Sequence, residues 1–345
     1  MKTLCVDGNS ILKVSFFGNK NTFVNDQNIG ALFTMLTLIR KILKEYGSFD
    51  RCILFWDSIN EAGKLRFHIY EGYKANRPHK SWYSKIELTE DEIKKEQEKD
   101  KSILTQRIRI KNYAEELFFR QVDPHDGIEA DDCIAYYCLN KRKNEEIIIF
   151  SGDHDFCQLI DKDISLYLTR KRTLINKLNY FLFFNHHLSN ACLVKSIVGD
   201  QSDNIPGIPG IQEKTLLKCF PQLKKRKVEY EELIEWAKEI QEKRKEEKKE
   251  PLKNLQLLIE GKELYELYKK IIDLHNPILT DECKELIKDI NELPLDDENR
   301  GSKNLLRMMT EDGFISLIWN EDYVDYLEPF FSVINSEKEY LKKYE

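Results

Sequence analysis

The chain has 345 residues, of which 41% are hydrophobic and 33% charged, and its formal net charge is −6. This length is roughly twice that of a usual domain, which predicts one large α/β domain with an appended module. The composition excludes a disordered chain, a collagen and a coiled rod, and no apolar run approaches the roughly 18 residues of a membrane span. Eight scattered cysteines without a C-x-x-C pair predict reduced thiols and a cytoplasmic location.

The charge is distributed unevenly along the chain. Residues 281–345 hold eight Lys and Arg against seventeen Asp and Glu, a net of −9, which leaves +3 for residues 1–280. If metal ions neutralised the nine acidic residues singled out below, this first part would stand at +12. The sequence is therefore compatible with a polyanionic partner despite its negative total.

Apolar β-branched runs that end in acidic or glycine-rich turns alternate with helical stretches. Strands are predicted at residues 3–6, 51–56 and 146–150, helices at 29–46 and 129–139, and a hairpin at 164–176. Continuous apolar strands of this kind form parallel sheets that helices cover on both sides. The pattern therefore predicts an α/β fold, with a mostly parallel sheet and helices on both faces.

Three further segments are more polar. Residues 81–111 are predicted to form an exposed helical excursion that ends in the basic run Arg107, Arg109, Lys111. Residues 224–250 carry many charges of both signs, which is typical of a solvated helical extension. Residues 255–345 are predicted to form a mostly helical, acidic C-terminal part.

Nine acidic residues follow predicted strands or stand at the start of helices and turns. They are Asp7, Asp57, Glu129, Asp131, Asp132, Asp153, Asp155, Asp200 and Asp203. Each motif alone is typical of an ordinary turn or helix cap. Together they are expected to meet at the carboxyl edge of the sheet, where they repel one another unless cations lie between them. Oxygen ligands select hard ions, so we expect two Mg²⁺ ions, replaceable by Mn²⁺, and phosphodiester hydrolysis.

Basic and aromatic residues outside this acidic group suit a nucleic-acid substrate. Residues 64–85 contain six Lys and Arg against one acid, and four Tyr and Trp lie among them. Cations that contact phosphates and rings that stack on bases bind single strands without sequence preference. Further along, Gly207 and Gly210 in I-P-G-I-P-G-I let the backbone approach phosphate, and a helix begins next to them.

The motifs in chain order resemble those of the flap endonuclease family of 5′ nucleases. The resemblance spans about residues 1–220 and rests on D-G-N at 7–9, F-W-D at 55–57, Y-K-A-N-R-P at 73–78, E-A-D-D at 129–132, S-G-D-H-D at 151–155 and G-D-Q-S-D-N-I-P-G-I-P-G-I at 199–211. The C-terminal part is similar to phage-encoded ribonuclease H enzymes of this family. The resemblance implies a resolvase-like core over residues 1–185 and a helical C-terminal domain over residues 186–345.

The same resemblance implies an activity and roles for the acidic residues. The activity is that of a Mg²⁺-dependent 5′→3′ exonuclease and flap endonuclease with ribonuclease H activity, which removes RNA primers and 5′ flaps at replication forks. The implied ligands are Asp7, Asp57, Glu129 and Asp131 for the first ion, and Asp132, Asp153, Asp155 and Asp200 for the second, with Asp203 acting through water. Lys74 and Arg77 would steer the scissile phosphate and stabilise its developing charge.

It also implies how DNA is held. The 5′ strand would pass through a helical arch at about residues 78–112. A helix-three-turn-helix element at about 190–220 would bind duplex phosphates, and carbonyls of its 207–210 hairpin would hold K⁺. The implied DNA-binding residues are Tyr73, Lys80, Arg107, Arg109, Gly207, Gly210, Lys214 and Thr215. Gln212 departs from the family, which has Gly there, so a positive φ at this position would be strained.

Partners and rival functions follow from the same features. Branched DNA and RNA–DNA duplexes with 5′ ends or flaps are the expected substrates. The protein is expected to be a monomer, in the host cytoplasm if the chain is phage-encoded. A single-strand-binding protein or a sliding clamp is the expected replication partner. Residues 324–331 are similar to a clamp-binding peptide but favour a core segment. Rival hypotheses are a PIN-type single-strand ribonuclease, a protein that binds branched DNA without cutting it, and an aspartate phosphatase. Asn9 argues against the phosphatase, which needs a second acid at that position.

Overall fold

The computed structural model describes residues 1–20, 22–59, 62–76, 90–295, 300–318 and 322–343. Two of the predicted site residues, Arg77 and Lys80, lie outside these ranges, as does the first part of the predicted arch. All eight cysteines are described, and each is a free thiol. Among the described residues, no helix is both long enough and apolar enough to cross a membrane.

A six-stranded sheet forms the centre of the fold. The strands of the structure are β1 (Lys2–Asp7), β2 (Phe23–Val24), β3 (Gln27–Asn28), β4 (Arg51–Phe55), β5 (Arg120–Val122), β6 (Glu146–Ser151), β7 (Ile164–Leu168) and β8 (Thr173–Ile175). The order in the sheet is β5-β4-β1-β6-β7-β8, and β2 pairs with β3 in a separate hairpin. β1 pairs in parallel with both β4 and β6, whereas β8 runs antiparallel to β7. The predicted mostly parallel sheet is confirmed. The hairpin predicted at residues 164–176 is also confirmed, since β7 and β8 form it.

Helices cover both faces of this sheet. They are α1 (Gly8–Gly18), α2 (Gly30–Glu45), α3 (Lys64–Ile69), α4 (Glu90–Glu116), α5 (Ala130–Leu139), α6 (Ala191–Val198), α7 (Glu213–Cys219), α8 (Tyr230–Glu246), α9 (Lys253–Glu260), α10 (Lys262–Ile272), α11 (Asp281–Glu292), α12 (Ser302–Glu311), α13 (Tyr323–Leu327) and α14 (Phe331–Leu341). Successive strand residues point to opposite faces. Leu4 and Val6 therefore join the core beneath α1 and α2, while Cys5 joins the core beneath α5.

Helix α4 ends five residues beyond the exposed excursion predicted for residues 81–111, and its C-terminal half is more buried than predicted. Its C-terminal turns insert Ile110, Tyr113 and Ala114 into the core beside α2. Gln106 is also buried, and its side-chain oxygen accepts hydrogen bonds from the backbone N–H groups of Ala31 and Leu32. These contacts fix the C-terminal half of α4 against the sheet, so only its N-terminal half remains available as an excursion.

The glycine-rich segment links α6 to α7 above a small core of its own. Gly207 has φ +68°, and a Cβ atom there would lie 2.4 Å from the carbonyl carbon of Val198, so only glycine fits this close approach. Gln212 has φ −108° and precedes α7 in extended conformation. The strain predicted for Gln212 is therefore absent. Helix α8 buries Tyr230, Leu233 and Ala237 on one side, which agrees with a solvated helical extension.

The last helices fold back onto the α/β core. Glu337 of α14 is buried between the guanidinium groups of Arg51 and Arg120, whose Nε atoms donate to its Oε1 at 3.0 and 2.7 Å. Tyr326, Leu327 and Phe330 lie in the same core as β1, so the centre of residues 324–331 packs as a core segment, as favoured, whereas Val324 and Phe331 at its ends are exposed. The domain boundary at residue 185 stays a prediction. Helix α14 nevertheless packs against β4 and β5 of the predicted first domain.

Candidate active site

Asp7 lies at the carboxyl end of the central strand and caps the following helix. Its Oδ1 accepts from the backbone N–H of Ser10 at 3.0 Å, and its Oδ2 accepts from the Ser151 hydroxyl at 2.6 Å. Burial raises the pKa of Asp7 to about 7, and the charges of Asp57 and Asp153 add to this rise. A carboxylate in this position is therefore destabilised unless a positive charge approaches it.

Asp57 follows the neighbouring strand β4 and reaches the same edge. Its Oδ2 accepts from the Asn9 side chain at 2.6 Å, and its Oδ1 accepts from the backbone N–H of Ala130 at 3.0 Å. Ala130 is the first residue of α5, so the helix start holds the carboxylate in place. Asp57 thereby ties the ends of β1 and β4 to the segment that carries Glu129 and Asp131.

Asp131 belongs to the same group of carboxylates. Burial, followed by the charges of Asp153 and Asp7, raises the pKa of Asp131 well above its ordinary value. Asp153 lies in the turn after β6, where its Oδ1 accepts from the backbone N–H of Asp155 at 2.9 Å. Asp57 and Asp153 thus act on Asp7, and Asp153 and Asp7 act on Asp131, which makes these four carboxylates electrostatic neighbours at the edge of the sheet.

Lys195 holds the next pair of carboxylates together. Its Nζ forms ion pairs with Asp155 and, at 2.5 Å, with Asp200. Burial disfavours the charged form of Asp200, but the charge of Lys195 outweighs this effect and lowers the pKa of Asp200 to about 2. At Asp155 burial outweighs the same lysine, and the pKa of Asp155 rises to about 6. Lys195 was not among the predicted site residues. Its position five residues before Asp200, in the last turn of α6, is the signal that could have identified it.

Arg66 forms the centre of a third group. Its Nη1 donates to Glu129 at 2.5 Å and its Nη2 donates to Asp132 at 3.0 Å. Tyr73 donates its hydroxyl to Glu129 at 2.7 Å, and Lys74 also bonds to Glu129. Burial works against the charge of Glu129, yet Lys74 and Arg66 lower its pKa to about 2. Arg66, expected from the sequence as a solvent-facing phosphate contact, is instead buried as a counter-ion.

Asp132 was predicted to bind the second ion together with Asp153 and Asp155, but its contacts are with Arg66 and Ile278. Its Oδ1 accepts from Arg66 and from the backbone N–H of Ile278 at 2.9 Å, and its side chain is only 4% exposed. Asp132 and Glu129 share one face of the start of α5, which directs both toward Arg66. The contacts of Asp132 therefore make it an anchor for Arg66 and for the segment before α11.

Lys74 connects the Arg66 group to the turn that carries Asp203. Its backbone N–H donates to the carbonyl oxygen of Asp203 at 2.9 Å, and its Nζ lies 4.0 Å from Asp203 Oδ1. Tyr73 Oη also lies 3.5 Å from Asp203 Oδ2. The turn at residues 200–205 is thus joined to the segment after α3. The role of Lys74 at the scissile phosphate stays a prediction.

Six of the nine carboxylates pair with the protein cations Arg66, Lys74 and Lys195, namely Glu129, Asp131, Asp132, Asp155, Asp200 and Asp203. Within the part of the chain that the structure describes, no three His, Cys, Asp or Glu side chains stand close enough together to hold one ion. The reason is visible in the contacts, since Arg66, Lys74 and Lys195 occupy positions between the carboxylates. The metal-binding role of the nine carboxylates therefore stays a prediction.

Three predicted DNA-binding residues have structural partners instead. Tyr73 is buried at 4% exposure, which corrects the expectation that its ring is free to stack on a base. Arg107 donates to the carbonyl oxygen of Asp57 at 2.8 Å and lies over the Trp56 ring. Arg109 donates its Nε–H to Asp312 at 2.7 Å. Both arginines thus help to fix α4. Arg107 is buried, whereas the side chain of Arg109 is 29% exposed, so a DNA contact by Arg109 stays a prediction.

The predicted residues of the glycine-rich segment have mixed exposure. Gly210 has φ +76° and is exposed, whereas Gly207 is buried against α6. Lys214 is exposed and Thr215 half-buried in the first turn of α7. A phosphate contact by these four residues stays a prediction.

Comparisons with known proteins agree with this architecture. A family model described as the N-terminal resolvase-like domain of 5′-3′ exonucleases matches residues 2–182. A 5′-3′ exonuclease of Buchnera aphidicola subsp. Schizaphis graminum is 30% identical over 229 residues, which cover 64% of this chain and 71% of that protein. The zinc-bound 5′-exonuclease of bacteriophage T5 superposes with a TM-score of 0.64 at 19% identity, over 85% of this chain and 99% of that one. A bacteriophage T5 flap endonuclease with DNA and metal ions superposes with a TM-score of 0.61 at 19% identity, over 85% and 98%.

Proposed function

The chain belongs to the 5′-3′ exonuclease family and is a nuclease that hydrolyses phosphodiester bonds, and from this premise we propose that it is a structure-specific 5′ nuclease that uses two Mg²⁺ ions. Its reactions would be 5′→3′ exonuclease and flap endonuclease cleavage, including ribonuclease H activity on primers. Its proposed place is DNA replication in the cytoplasm, on branched DNA and RNA–DNA duplexes with 5′ ends or flaps.

The observation that supports this proposal is the approach of buried and partly buried carboxylates to one another at one sheet edge. Asp7 and Asp57 come from two adjacent parallel strands, and Asp131 and Asp153 reach them from α5 and the β6 turn. Burial and mutual repulsion raise the pKa of Asp7 to about 7. A divalent cation relieves this repulsion, and an all-oxygen donor set suits Mg²⁺ or Mn²⁺.

The contacts support a particular division of ligands. Asp7, Asp57 and Asp131, with Glu129 beside them, would hold the first ion. Asp153, Asp155 and Asp200 would hold the second, with Asp203 through water. Asp132 is withdrawn from the second set because of its bonds to Arg66 and Ile278. Two such ions, when bound, activate water and stabilise the leaving oxygen in phosphodiester hydrolysis.

The protein's own cations would complete the site. Lys74 bonds to Glu129 and lies 4.0 Å from Asp203, so its ammonium group is held where a phosphate that approaches these carboxylates must pass. We assign to Lys74 the electrostatic stabilisation of the scissile phosphate. Arg66 is buried behind Glu129 and orients it. Arg77, the other predicted catalytic cation, keeps its proposed role on sequence grounds alone.

The duplex and replication partners belong to the same proposal. The turn at Gly207 and Gly210, with Lys214 and Thr215 at the start of α7, would bind duplex phosphate, and K⁺ could bridge its carbonyls to the DNA. Support comes from the exposure of Gly210 and Lys214. A single-strand-binding protein or a sliding clamp remains the predicted partner, although Leu327 and Phe330 of the clamp-like segment are in the core.

Cleavage and binding can be separated experimentally. We expect Asp153→Asn or Asp155→Asn to abolish cleavage of a labelled 5′-flap duplex in Mg²⁺ while flap binding in Ca²⁺ stays largely intact. Asp281→Asn is the matched control, since Asp281 lies on α11 with a side chain that is 92% exposed. Unaltered turnover by the Asp153 and Asp155 variants would contradict the proposal. Cleavage of unstructured RNA in preference to the flap would favour the PIN-type ribonuclease.

A further inference from the structure

An acid-free stretch of the chain runs beside the candidate active site. From Ile164 to Gly199 the sequence contains no Asp or Glu, although about one residue in six of the whole chain is acidic. Arg170, Lys171, Arg172 and Lys177 in this stretch are exposed. Within the described residues, none of these four cations forms an ion pair. This surface therefore carries a locally unbalanced positive charge on a chain that is negative overall.

The segment after β8 presents large apolar side chains to solvent. Leu178 is 90% exposed, Phe181 64% and Leu182 81%. Contiguous apolar groups of this kind on a soluble protein mark an interaction site. We refer to the whole surface as the basic-aromatic patch, which comprises Arg170, Lys171, Lys177, Leu178, Phe181 and Leu182.

The basic-aromatic patch is continuous with the carboxylate edge. Lys171 lies 5.0 Å above the ring of Phe183 and 5.9 Å above that of Phe184. Phe184 in turn meets the ring of His154 edge to face at 6.3 Å, and His154 stands between two of the proposed metal ligands. The residue before Arg170 is tied to the β6 turn, because the backbone N–H of Thr169 donates to the carbonyl oxygen of Ser151.

The chemistry of this surface favours one class of ligand. Unpaired cations attract phosphates, and exposed rings stack on bases. A duplex keeps its bases inside, so it gives the ring of Phe181 and the side chains of Leu178 and Leu182 nothing to pack against. A protein partner of purely apolar character would leave Arg170, Lys171 and Lys177 without a counter-charge. A single strand of nucleic acid satisfies both kinds of group.

We propose that the basic-aromatic patch binds the unpaired strand of a branched substrate next to the carboxylate edge. This inference rests on the proposed function, because it names the part of a flapped substrate that this surface holds. It assigns a role to Lys171 and Phe181 that is separate from cleavage itself. These side chains would increase affinity for substrates with a single-stranded arm and leave affinity for plain duplex unchanged.

The test compares two substrates in Ca²⁺ by fluorescence anisotropy. We expect Lys171→Ala/Phe181→Ala to weaken binding of a 5′-flap duplex about tenfold and to leave binding of the same duplex without the flap unaltered. The dependence of log Kd on log salt concentration for the flap duplex should lose about 0.7 from its slope for the one cation removed. Cleavage of the unflapped duplex from its 5′ end should keep its wild-type rate.

A matched control and a direct mapping complete the design. Lys303→Ala/Phe331→Ala removes one exposed cation and one exposed ring from the acidic C-terminal part and should leave both affinities unaltered. A flap that carries 4-thiothymidine should cross-link to residues 170–184. Unchanged affinity of the variant for the flap duplex, with cross-links outside residues 170–184, would overturn the proposal. An equal loss of affinity for both duplexes would also overturn it, because that result indicates a duplex-binding site. Loss of self-association in sedimentation without loss of flap affinity would assign the surface to a second copy and also overturn it.

The outcome is distinguishable from failure of the proposed function. If the chain is not a 5′ nuclease, the wild-type protein will show no preference for the flapped over the unflapped duplex. If only the patch assignment fails, the wild-type protein and the Lys171→Ala/Phe181→Ala variant will show the same preference.

Discussion

Replacement of Lys195 by Met should make the stability of the protein depend on divalent ions. The ammonium group of Lys195 bonds to Asp155 and lies 2.5 Å from Asp200. The side chains of these three residues are only 16–22% exposed. Without the lysine, two partly buried carboxylates face each other without a counter-charge, which destabilises the folded state.

The size of the effect follows from this geometry. A unit charge pair about 4 Å apart interacts by about 4 kcal/mol at an effective dielectric constant near 20. Partial exposure and the desolvation of the lysine reduce the net value, so we expect Lys195→Met to lower the free energy of unfolding by about 2 kcal/mol in EDTA. In saturating Mg²⁺ the loss should fall below about 1 kcal/mol, because an ion between the carboxylates takes over the neutralising role.

Urea unfolding in EDTA and in Mg²⁺ measures this difference. Isothermal titration of Ca²⁺ should also show tighter binding to the variant, since the ion no longer competes with an internal cation. Lys218→Met is the control, because Lys218 is exposed on the short helix α7. Equal stability of Lys195→Met and wild type in EDTA, or a loss that is the same with and without Mg²⁺, would refute the reasoning.

Two further predictions concern the buried end of the chain and the chemical step. Glu337→Gln should lower the free energy of unfolding by about 3–5 kcal/mol, because the change leaves two buried guanidinium groups without a counter-charge. Urea unfolding measures this loss, with Glu339→Gln, at an exposed residue of the same helix, as the control. A loss no larger than that of the control would contradict a buried ion pair at Glu337. Lys74→Ala should slow single-turnover cleavage about 100-fold while Kd in Ca²⁺ changes little. A loss confined to affinity would reduce Lys74 to a phosphate anchor.

The sheet and its acidic edge can be predicted from the sequence because both depend on local patterns. Strands β1, β4 and β6 are continuous apolar runs, and each has an Asp at its last position or within two residues after it. In a parallel sheet the carboxyl ends of neighbouring strands meet at one edge. Local pattern and chain topology are therefore enough to predict that Asp7, Asp57 and Asp153 lie close together.

The cations of the site cannot be predicted in this way. Arg66 and Lys74 belong to the same basic window, yet Arg66 is buried against Glu129 and Asp132, which lie more than 60 residues away in the chain. Arg107 and Arg109 were expected to contact DNA, but their partners include Asp312 from the far end of the chain. Whether a basic side chain faces solvent or a distant carboxylate depends on tertiary packing, which periodicity does not report.

The docking of α14 on the sheet has a consequence for synthesis on the ribosome. Arg51 and Arg120 are buried beneath Glu337, so the amino-terminal unit holds two cations without this counter-charge until α14 has been synthesised. We expect translation intermediates that lack this helix to remain protease-sensitive. The hydrolytic site would then mature only after α14 has emerged from the ribosome, and the incomplete nuclease would not act on nucleic acid before that point.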